Sequence, residues 1–83
     1  MFISKINISI RKTILDPQGK AVEHSLKSLG FTSIEDTRIG KYIELKINTD
    51  SKEEAERISK EACDKLLANQ VMEDYTIEIL KET

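Results

Sequence analysis

The sequence has no tryptophan, one cysteine, one proline and three glycines among its 83 residues. Aromatic residues make up 5% of the chain, which leaves little material for a platform on which bases or sugars could stack. A single cysteine excludes an intramolecular disulfide and a metal site built from cysteines alone. The apolar runs are too short to cross a bilayer and no signal peptide opens the chain, so we expect a soluble, cytoplasmic protein without membrane contact.

Length and charge argue against a self-sufficient enzyme and against a nucleic-acid binder. A chain of 83 residues forms one small domain, residues 1–83, with little room for a deep substrate cavity. Its 13 basic and 15 acidic residues give a net charge of −2, without the clustered basic excess that marks nucleic-acid binding. Residues 1–30 hold five basic and two acidic residues, and residues 31–83 hold eight and thirteen. This uneven distribution suits either a mixed solvated surface or contact with another protein.

The first 30 residues predict a strand followed by a helix. Residues 2–11 alternate between apolar and polar side chains, which is the period of a half-buried strand. Asp16 is a suitable N-cap because its carboxylate can accept the unpaired amide hydrogens of a first helical turn, and Pro17 suits the first helical position. We expect this helix to end at Gly30, which can adopt the left-handed conformation that commonly terminates helices.

The rest of the chain predicts two strands, a second helix and a last strand. Phe31–Gly40 indicates a strand with poor alternation and a bend near its end, and Lys41–Asn48 alternates cleanly. A capping box of Ser51 and Glu54 predicts the start of the second helix. Residues 75–79 alternate again and predict the last strand.

The order of these elements predicts an α+β fold, a ferredoxin-like βαββαβ sandwich. Two helices would cover one face of the sheet, and the second and third strands would meet at a bend. The other face would be polar with one aromatic side chain, and would carry Lys5, Asn7, Ser9, Tyr42, Glu44, Lys46, Thr76 and Glu78. Such a face can stand in water or meet a polar partner.

No set of residues has the composition of an active site. Cys63 falls in the middle of the predicted second helix, a position typical of packing rather than of a nucleophile with a histidine base. His24 is the only histidine, and one His with one Cys does not make a four-ligand zinc site. The glycines are too dispersed for a phosphate loop, and Asp16 competes for the helix amides that could hold an anion beside Lys20. We therefore predict no catalytic residue and no metal site.

Arg38, Lys41 and Tyr42 form the most suggestive polar group, because they flank a glycine at the predicted bend. An exposed hairpin with ordinary solvated charges explains them. The functional alternative is a contact loop that offers a guanidinium, an ammonium and a phenol to a partner. The residues alone indicate a small α+β domain with an interaction role.

Four segments carry a more specific pattern. They are Leu15–Val22 (LDPQGKAV), Ser28–Phe31 (SLGF), Asp36–Leu45 (DTRIGKYIEL), and Lys65–Asn69 (KLLAN) running into Val71–Tyr75 (VMEDY). In this order and spacing the sequence resembles the PurS family, the small subunit of the three-part phosphoribosylformylglycinamidine synthase of purine biosynthesis. The resemblance covers the whole chain.

The resemblance implies an accessory subunit of a ligase that uses ATP and glutamine to convert formylglycinamide ribonucleotide to formylglycinamidine ribonucleotide. ATP and magnesium would bind to the large synthetase subunit, a glutaminase subunit would release ammonia, and this chain would hold no cofactor. It would help to assemble the two partners and to transfer ammonia between them, as a homodimer or homotetramer. The family signature maps onto partner-contact candidates at two places, which are Asp16, Gln18, Gly19 and Lys20, and Arg38, Gly40, Lys41 and Tyr42.

Two other functions are compatible with this topology. A small-molecule sensing dimer would bind an amino acid between its subunits, and its melting temperature would rise with that ligand. An RNA-binding domain needs aromatic side chains on the open sheet face in basic surroundings. Tyr42 is the one aromatic residue predicted there, and Glu44 and Glu78 share the face, so we expect no nucleic-acid partner.

Overall fold

Alternating apolar residues in three segments build an antiparallel sheet. In the computed structural model, which describes residues 1–82, strand β1 spans Phe2–Ile10, β2 spans Gly40–Ile47 and β3 spans Glu73–Lys81. β1 lies in the centre and pairs antiparallel with both neighbours. Thr83, the last residue of the predicted 1–83 domain, lies outside the described residues.

The register of the sheet separates an apolar inner face from a polar outer face. Ile6 lies between Ile43 and Ile77 on the inner face. One residue earlier, Lys5 lies between Glu44 and Glu78 on the outer face, where opposite charges face each other across strands. The predicted polar outer face is therefore confirmed.

The first helix, α1, has the predicted boundaries. It spans Pro17–Ser28, and the Asp16 carboxylate caps it by accepting a hydrogen bond from the Gly19 amide at 2.9 Å. At the other end Gly30 has a φ of 99°. The amide of Phe31 donates to the Leu26 carbonyl at 3.0 Å and the amide of Gly30 donates to the Lys27 carbonyl at 3.1 Å, which is the Schellman pattern.

The second helix ends in a wider turn that changes which side chains face the sheet. Helix α2 spans Lys52–Ala62 and continues as a π-helical turn over Cys63–Leu67, in which the Ala68 amide donates to the Cys63 carbonyl at 3.0 Å. Cys63 still follows the buried Ala55 and Ser59 at regular helical spacing, but after it the extra residue brings Ala68 inward, whereas Leu66, which would continue the apolar row of Ala55, Ile58 and Ala62 in a regular helix, is 82% exposed.

The core lies between α2 and the inner face of the sheet. Ile6, Ile8 and Cys63 are its largest fully buried apolar side chains. Beside them the hydroxyl oxygens of Ser59 and Ser4 lie 2.7 Å apart, and Ser59 Oγ is 2.8 Å from the Ala55 carbonyl oxygen. These hydroxyls join α2 to β1, and each provides a hydrogen-bonding partner for the other in the interior.

The segment predicted as the second strand, Phe31–Gly40, is not paired as a strand. A turn occupies its first residues, an irregular extended stretch follows, and Gly40 alone belongs to a strand, as the first residue of β2. The amide of Ile39 donates to the Asp16 carboxylate at 2.8 Å, so a side chain takes the hydrogen bond that a ladder would need. The α+β class, the antiparallel sheet and the two helices are as predicted.

The expectation that both helices cover the same sheet face is wrong for α1. Within residues 1–82, α2 packs on β1 and β3, and α1 has no comparable packing against any strand. The radius of gyration is 16.2 Å, against about 12 Å for a compact domain of this length. The chain exposes 6101 Å², against about 5,000 Å² for a compact monomer of its mass. Helix α1 thus extends away from the body of the molecule.

Replacing Ile6 by Ala tests the position of the core. Since Ile6 is fully buried at the centre of the sheet, Ile6→Ala should lower the free energy of unfolding by about 2–5 kcal/mol. That is a large part of the roughly 4–12 kcal/mol expected for a chain of this length. Leu66→Ala, at an exposed position, is the control and should change it by less than about 0.5 kcal/mol. Urea titration at one fixed protein concentration measures the free energy of unfolding of both variants. Equal losses for Ile6→Ala and Leu66→Ala would refute this position of the core.

Candidate functional site

The predicted site residues converge on the base of α1, where two distant stretches of chain meet. Asp16 is the centre of this contact and is 3% exposed. One of its carboxylate oxygens accepts the Gly19 amide and the other accepts the Ile39 amide. Both hydrogen bonds lower the pKa of the Asp16 carboxyl, and the one from Gly19 has the larger effect. The positive charge of Arg38 lowers this pKa further.

Arg38 is held by its own chain. Its Nη2 atom lies 3.1 Å from the carbonyl oxygen of Ile10, 2.8 Å from that of Arg11 and 3.3 Å from that of Ile14. Ile10 ends β1, and the other two carbonyls belong to the loop that connects β1 to α1. The half-buried guanidinium therefore ties the stretch before β2 to the stretch after β1.

Both glycines of the predicted signature stand where a side chain does not fit. A Cβ at Gly19 would collide with the Thr37 carbonyl oxygen. A Cβ at Gly40 would come within 2.6 Å of the Ile8 carbonyl oxygen on the neighbouring strand. Close approach of two backbones is the reason for glycine at each place. We call the contact formed by Asp16, Gly19, Thr37, Arg38 and Ile39 the junction.

The other four candidates have exposed side chains. Gln18 and Lys20 lie on the first turn of α1, and the Lys20 ammonium is 3.5 Å from the Glu23 carboxylate. The Lys41 ammonium is 3.3 Å from the Glu73 carboxylate. Tyr42, 54% exposed, lies on the outer sheet face opposite Asn7. The structure thus brings together half of the predicted residues as internal contacts and leaves the other half accessible.

An open cleft of about 450 Å³ lies where β3 begins, beside the π-helical turn. Its polar groups bind one another. The Tyr75 hydroxyl donates to Asp64 at 2.8 Å, which raises the pKa of the tyrosine. Arg11 donates to the Asp74 carboxylate at 3.2 Å and to the Gln70 carbonyl oxygen at 2.5 Å. These contacts make the cleft a hydrogen-bonded corner of the fold.

Neither of the residues considered for chemistry occupies a reactive setting. Cys63 is buried under α2, and burial raises the pKa of its thiol, with the Asp64 charge adding to the effect. A raised thiol pKa leaves less of the nucleophilic thiolate. His24 is exposed on α1. Among residues 1–82 no three His, Cys, Asp or Glu side chains are grouped so that they could hold a metal ion.

Comparison with known proteins identifies the family. The sequence matches the PurS family, described as phosphoribosylformylglycinamidine (FGAM) synthase, over residues 3–81. The chain belongs to the PurS family. A similar protein is phosphoribosylformylglycinamidine synthase subunit PurS of Bacillus subtilis, 46% identical over 79 residues, which are 95% of this chain and 93% of that protein. The family resemblance inferred from the four segments is thereby confirmed.

Solved structures of PurS proteins have the same fold. PurS of Bacillus subtilis is 44% identical and superposes with a TM-score of 0.89 over 98% of this chain and all of that chain. PurS of Methanocaldococcus jannaschii is 31% identical with a TM-score of 0.90 over the whole of both chains. A chain in the structure of PurLQS from Thermotoga maritima is 34% identical with a TM-score of 0.88, covering 95% of this chain and 96% of that one. Among residues 1–82 no helix is both long and apolar enough to cross a membrane.

Sequence reasoning on this PurS chain missed several residues that the structure makes prominent. Arg11 supplies one of the carbonyls bound by Arg38 and also joins β1 to the start of β3. Glu73 is the partner of Lys41. The apolar side chains of Leu29 and Phe31 are 75% and 53% exposed. The Arg11 and Glu73 contacts leave no local signal in the sequence, whereas two large apolar residues directly beside a helix-ending glycine could have been recognised as an accessible patch.

The lowered pKa of Asp16 predicts a pH-dependent contribution to stability. Its pKa lies below the ordinary value of 3.8, so ionised Asp16 stabilises the fold above that pH, and this contribution disappears as the pH falls through the lowered value. Asp16→Asn keeps one acceptor oxygen for two amides. The urea midpoint of the variant should lie below that of the wild type at about pH 6, and the gap should narrow below pH 3.8. A gap that is independent of pH would mean that the charge of Asp16 has no part in the junction.

Proposed function

We propose that this chain assembles the large synthetase subunit and the glutaminase subunit of phosphoribosylformylglycinamidine synthase and helps to pass ammonia between them. The relatives are named as subunit PurS of that synthase, and the Methanocaldococcus jannaschii protein as a subunit of the amidotransferase in the purine biosynthetic pathway. This chain is an accessory subunit of the same ligase. The observation that carries the proposal is its likeness to a chain of the PurLQS structure over nearly its whole length. ATP and magnesium belong on the large partner in this proposal, and this chain carries no cofactor.

The chemistry of ammonia transfer suits a subunit without an active site. Ammonia has to arrive unprotonated at the activated substrate, because ammonium has no lone pair with which to attack. Packed protein that excludes water around the passage and the reactive intermediate serves this purpose. The buried, raised-pKa thiol of Cys63 and the mutually bonded groups of the cleft are consistent with a packing subunit. We place the complex in the cytoplasm, since one buried, unpaired cysteine fits a reducing compartment.

Self-association is the second part of the proposal. Helix α2 leaves inner-face residues of both edge strands only half-buried, among them Ile43 and Leu45 of β2 and Ile77 of β3. A second apolar surface is formed by Val22 on α1 and by Leu29 and Phe31 directly after its C-terminus. A second copy presents the same two surfaces, so each copy can cover the other, as a symmetric dimer requires.

The size of the uncovered surface fits a dimer interface. The chain exposes 6101 Å², roughly 1,000 Å² more than a compact monomer of its mass. A stable interface removes about 800 Å² from each partner. A homodimer therefore accounts for the excess, and a homotetramer requires a further surface, for which the polar outer sheet face is available.

We assign partner contact to the four accessible signature residues, Gln18, Lys20, Lys41 and Tyr42. Their side chains reach solvent at two places, the first turn of α1 and the start of β2. The other four, Asp16, Gly19, Arg38 and Gly40, are engaged inside the chain. Tyr42 is the strongest candidate, because exposed tyrosines are enriched among the residues that dominate interface energies.

Removal of the Tyr42 side chain tests the assembly role. An interface tyrosine contributes about 2 kcal/mol, so Tyr42→Ala should weaken binding to the synthetase and glutaminase subunits about thirtyfold, measured by biolayer interferometry with ADP and glutamine present. Val71→Ala, an exposed position before β3, is the control and should bind as the wild type does. In the reconstituted enzyme, glutamine-dependent turnover should fall while ammonia-dependent turnover is kept. Equal loss of both with assembly intact would contradict the bridging role.

A charge at the C-terminal end of α1, on the cap residue Leu29, tests self-association. Leu29 is 75% exposed in the single chain, so Leu29→Asp should leave its fold intact. In a dimer it would bury an unpaired carboxylate at a cost of about 3 kcal/mol or more, a more than hundredfold rise in the dimer dissociation constant. Leu66→Asp, a matched leucine at 82% exposure on the π-helical turn, should associate as the wild type does. Sedimentation equilibrium measures both, and an unchanged constant for Leu29→Asp would exclude α1 from the interface.

A further inference from the structure

Helix α1 is attached to the sheet by two connections and by little else. The loop of residues 11–16 leads into it and the stretch of residues 29–39 leads out of it. Within residues 1–82 it lacks the packing against strands that holds α2 in place. Its direction therefore has to be fixed at the connections themselves.

The two connections are joined to each other at the junction. Asp16, on the incoming loop, accepts the amide of Ile39 on the outgoing stretch at 2.8 Å. Arg38, on the outgoing stretch, donates to the carbonyls of Arg11 and Ile14 on the incoming loop. Each connection thus supplies one charged side chain to the backbone of the other, so a change of angle would break bonds on both sides.

Steric contact limits the same movement. The first turn of α1 lies against the outgoing stretch so closely that Gly19 has no space for a Cβ beside the Thr37 carbonyl oxygen. The Asp16 carboxylate oxygen lies 2.9 Å from the Gly19 amide. The same side chain therefore caps the helix and binds the outgoing stretch. The base of α1 is held by contacts in more than one direction.

We infer that Arg38 and Asp16 are positioning residues that fix the direction in which α1 leaves the sheet, and thereby shape the surface that receives the second copy. This inference rests on the proposed self-association. It assigns the two charged residues at the centre of the family signature to the geometry of the chain rather than to contact with a partner. Loosening the junction leaves the sheet and α2 intact but lets α1 sample many directions, which makes association less favourable because that freedom has to be lost.

The test measures the direction of α1 itself. Spin labels are placed on the full chain at Lys27→Cys, on α1, and Thr76→Cys, on the outer face of β3, both exposed. Cys63 is fully buried and stays unlabelled. Double electron–electron resonance, with labelled chains diluted in an excess of unlabelled ones, reports the distance within one chain. Sedimentation equilibrium and circular dichroism report association and folding of the same variants.

Arg38→Ala should broaden the distance distribution and weaken self-association about tenfold, the size expected when roughly one residue's worth of backbone freedom has to be lost. Arg38→Lys should restore much of the narrow distance distribution and much of the self-association, since an ammonium also brings donors to the three carbonyls. Asp16→Asn should broaden the distribution less than Arg38→Ala. Arg57→Ala is the matched control, because Arg57 pairs with Glu54 and Glu61 on the exposed side of α2, and it should change neither quantity.

Two outcomes separate this inference from the proposal on which it rests. If the wild type remains a monomer at all concentrations, self-association fails, and the distance distribution of the monomer still decides whether the junction positions α1. If Arg38→Ala lowers the melting temperature and weakens association while the distribution stays as narrow as that of the wild type, Arg38 stabilises the fold without positioning α1, and the inference is overturned.

Discussion

A single helix is too narrow to cover the inner face of this sheet, and the rest of the structure depends on that mismatch. An α-helix with its side chains is about 10 Å wide, whereas three strands set about 4.8 Å apart present a broader face once their side chains are included. Helix α2 lies on β1 and β3, and apolar inner residues of both edge strands, such as Ile43 and Leu45 of β2 and Ile77 and Ile79 of β3, are left half-buried. The helix that would complete the layer, α1, extends away instead. The fold therefore retains exposed and half-buried apolar surface beside its core.

The junction decides where that surface points. In many small domains a helix takes its direction from the core on which it packs, and its caps merely end it. Here Asp16 both caps α1 and binds the outgoing stretch, while Arg38 binds the incoming loop. Buried charges are costly unless they are fully hydrogen-bonded, and no buried side-chain nitrogen or oxygen in residues 1–82 lacks a partner. Hydrogen bonds at its two connections thus set the direction of α1, whereas side-chain packing on the sheet sets the direction of α2.

Local signals in the sequence predicted the elements that depend on local interactions. The alternation around Ile6 predicted β1, Asp16 and Gly30 predicted both ends of α1, and these are confirmed. The stretch before Gly40 was predicted as a strand because its composition suits one, but its amide partner is a carboxylate 23 residues away. The outward position of Leu66 follows from one extra residue in the turn after α2, and no pattern of apolar spacing reveals such an insertion.

The signature residues fall into an engaged group and an accessible group, and this division too depends on contacts between distant parts of the chain. A carboxylate, a guanidinium and two glycines in one signature indicate a partner contact when only their types are known. In the structure Asp16 and Arg38 use their hydrogen-bonding capacity on backbone groups of their own chain, and the glycines lie where two backbones approach closely. The side chains left accessible on this framework include Tyr42 and the apolar residues at the end of α1. In the proposed role of an accessory subunit, the charged groups bonded inward set the shape of the chain, and the accessible side chains meet the proteins that it joins.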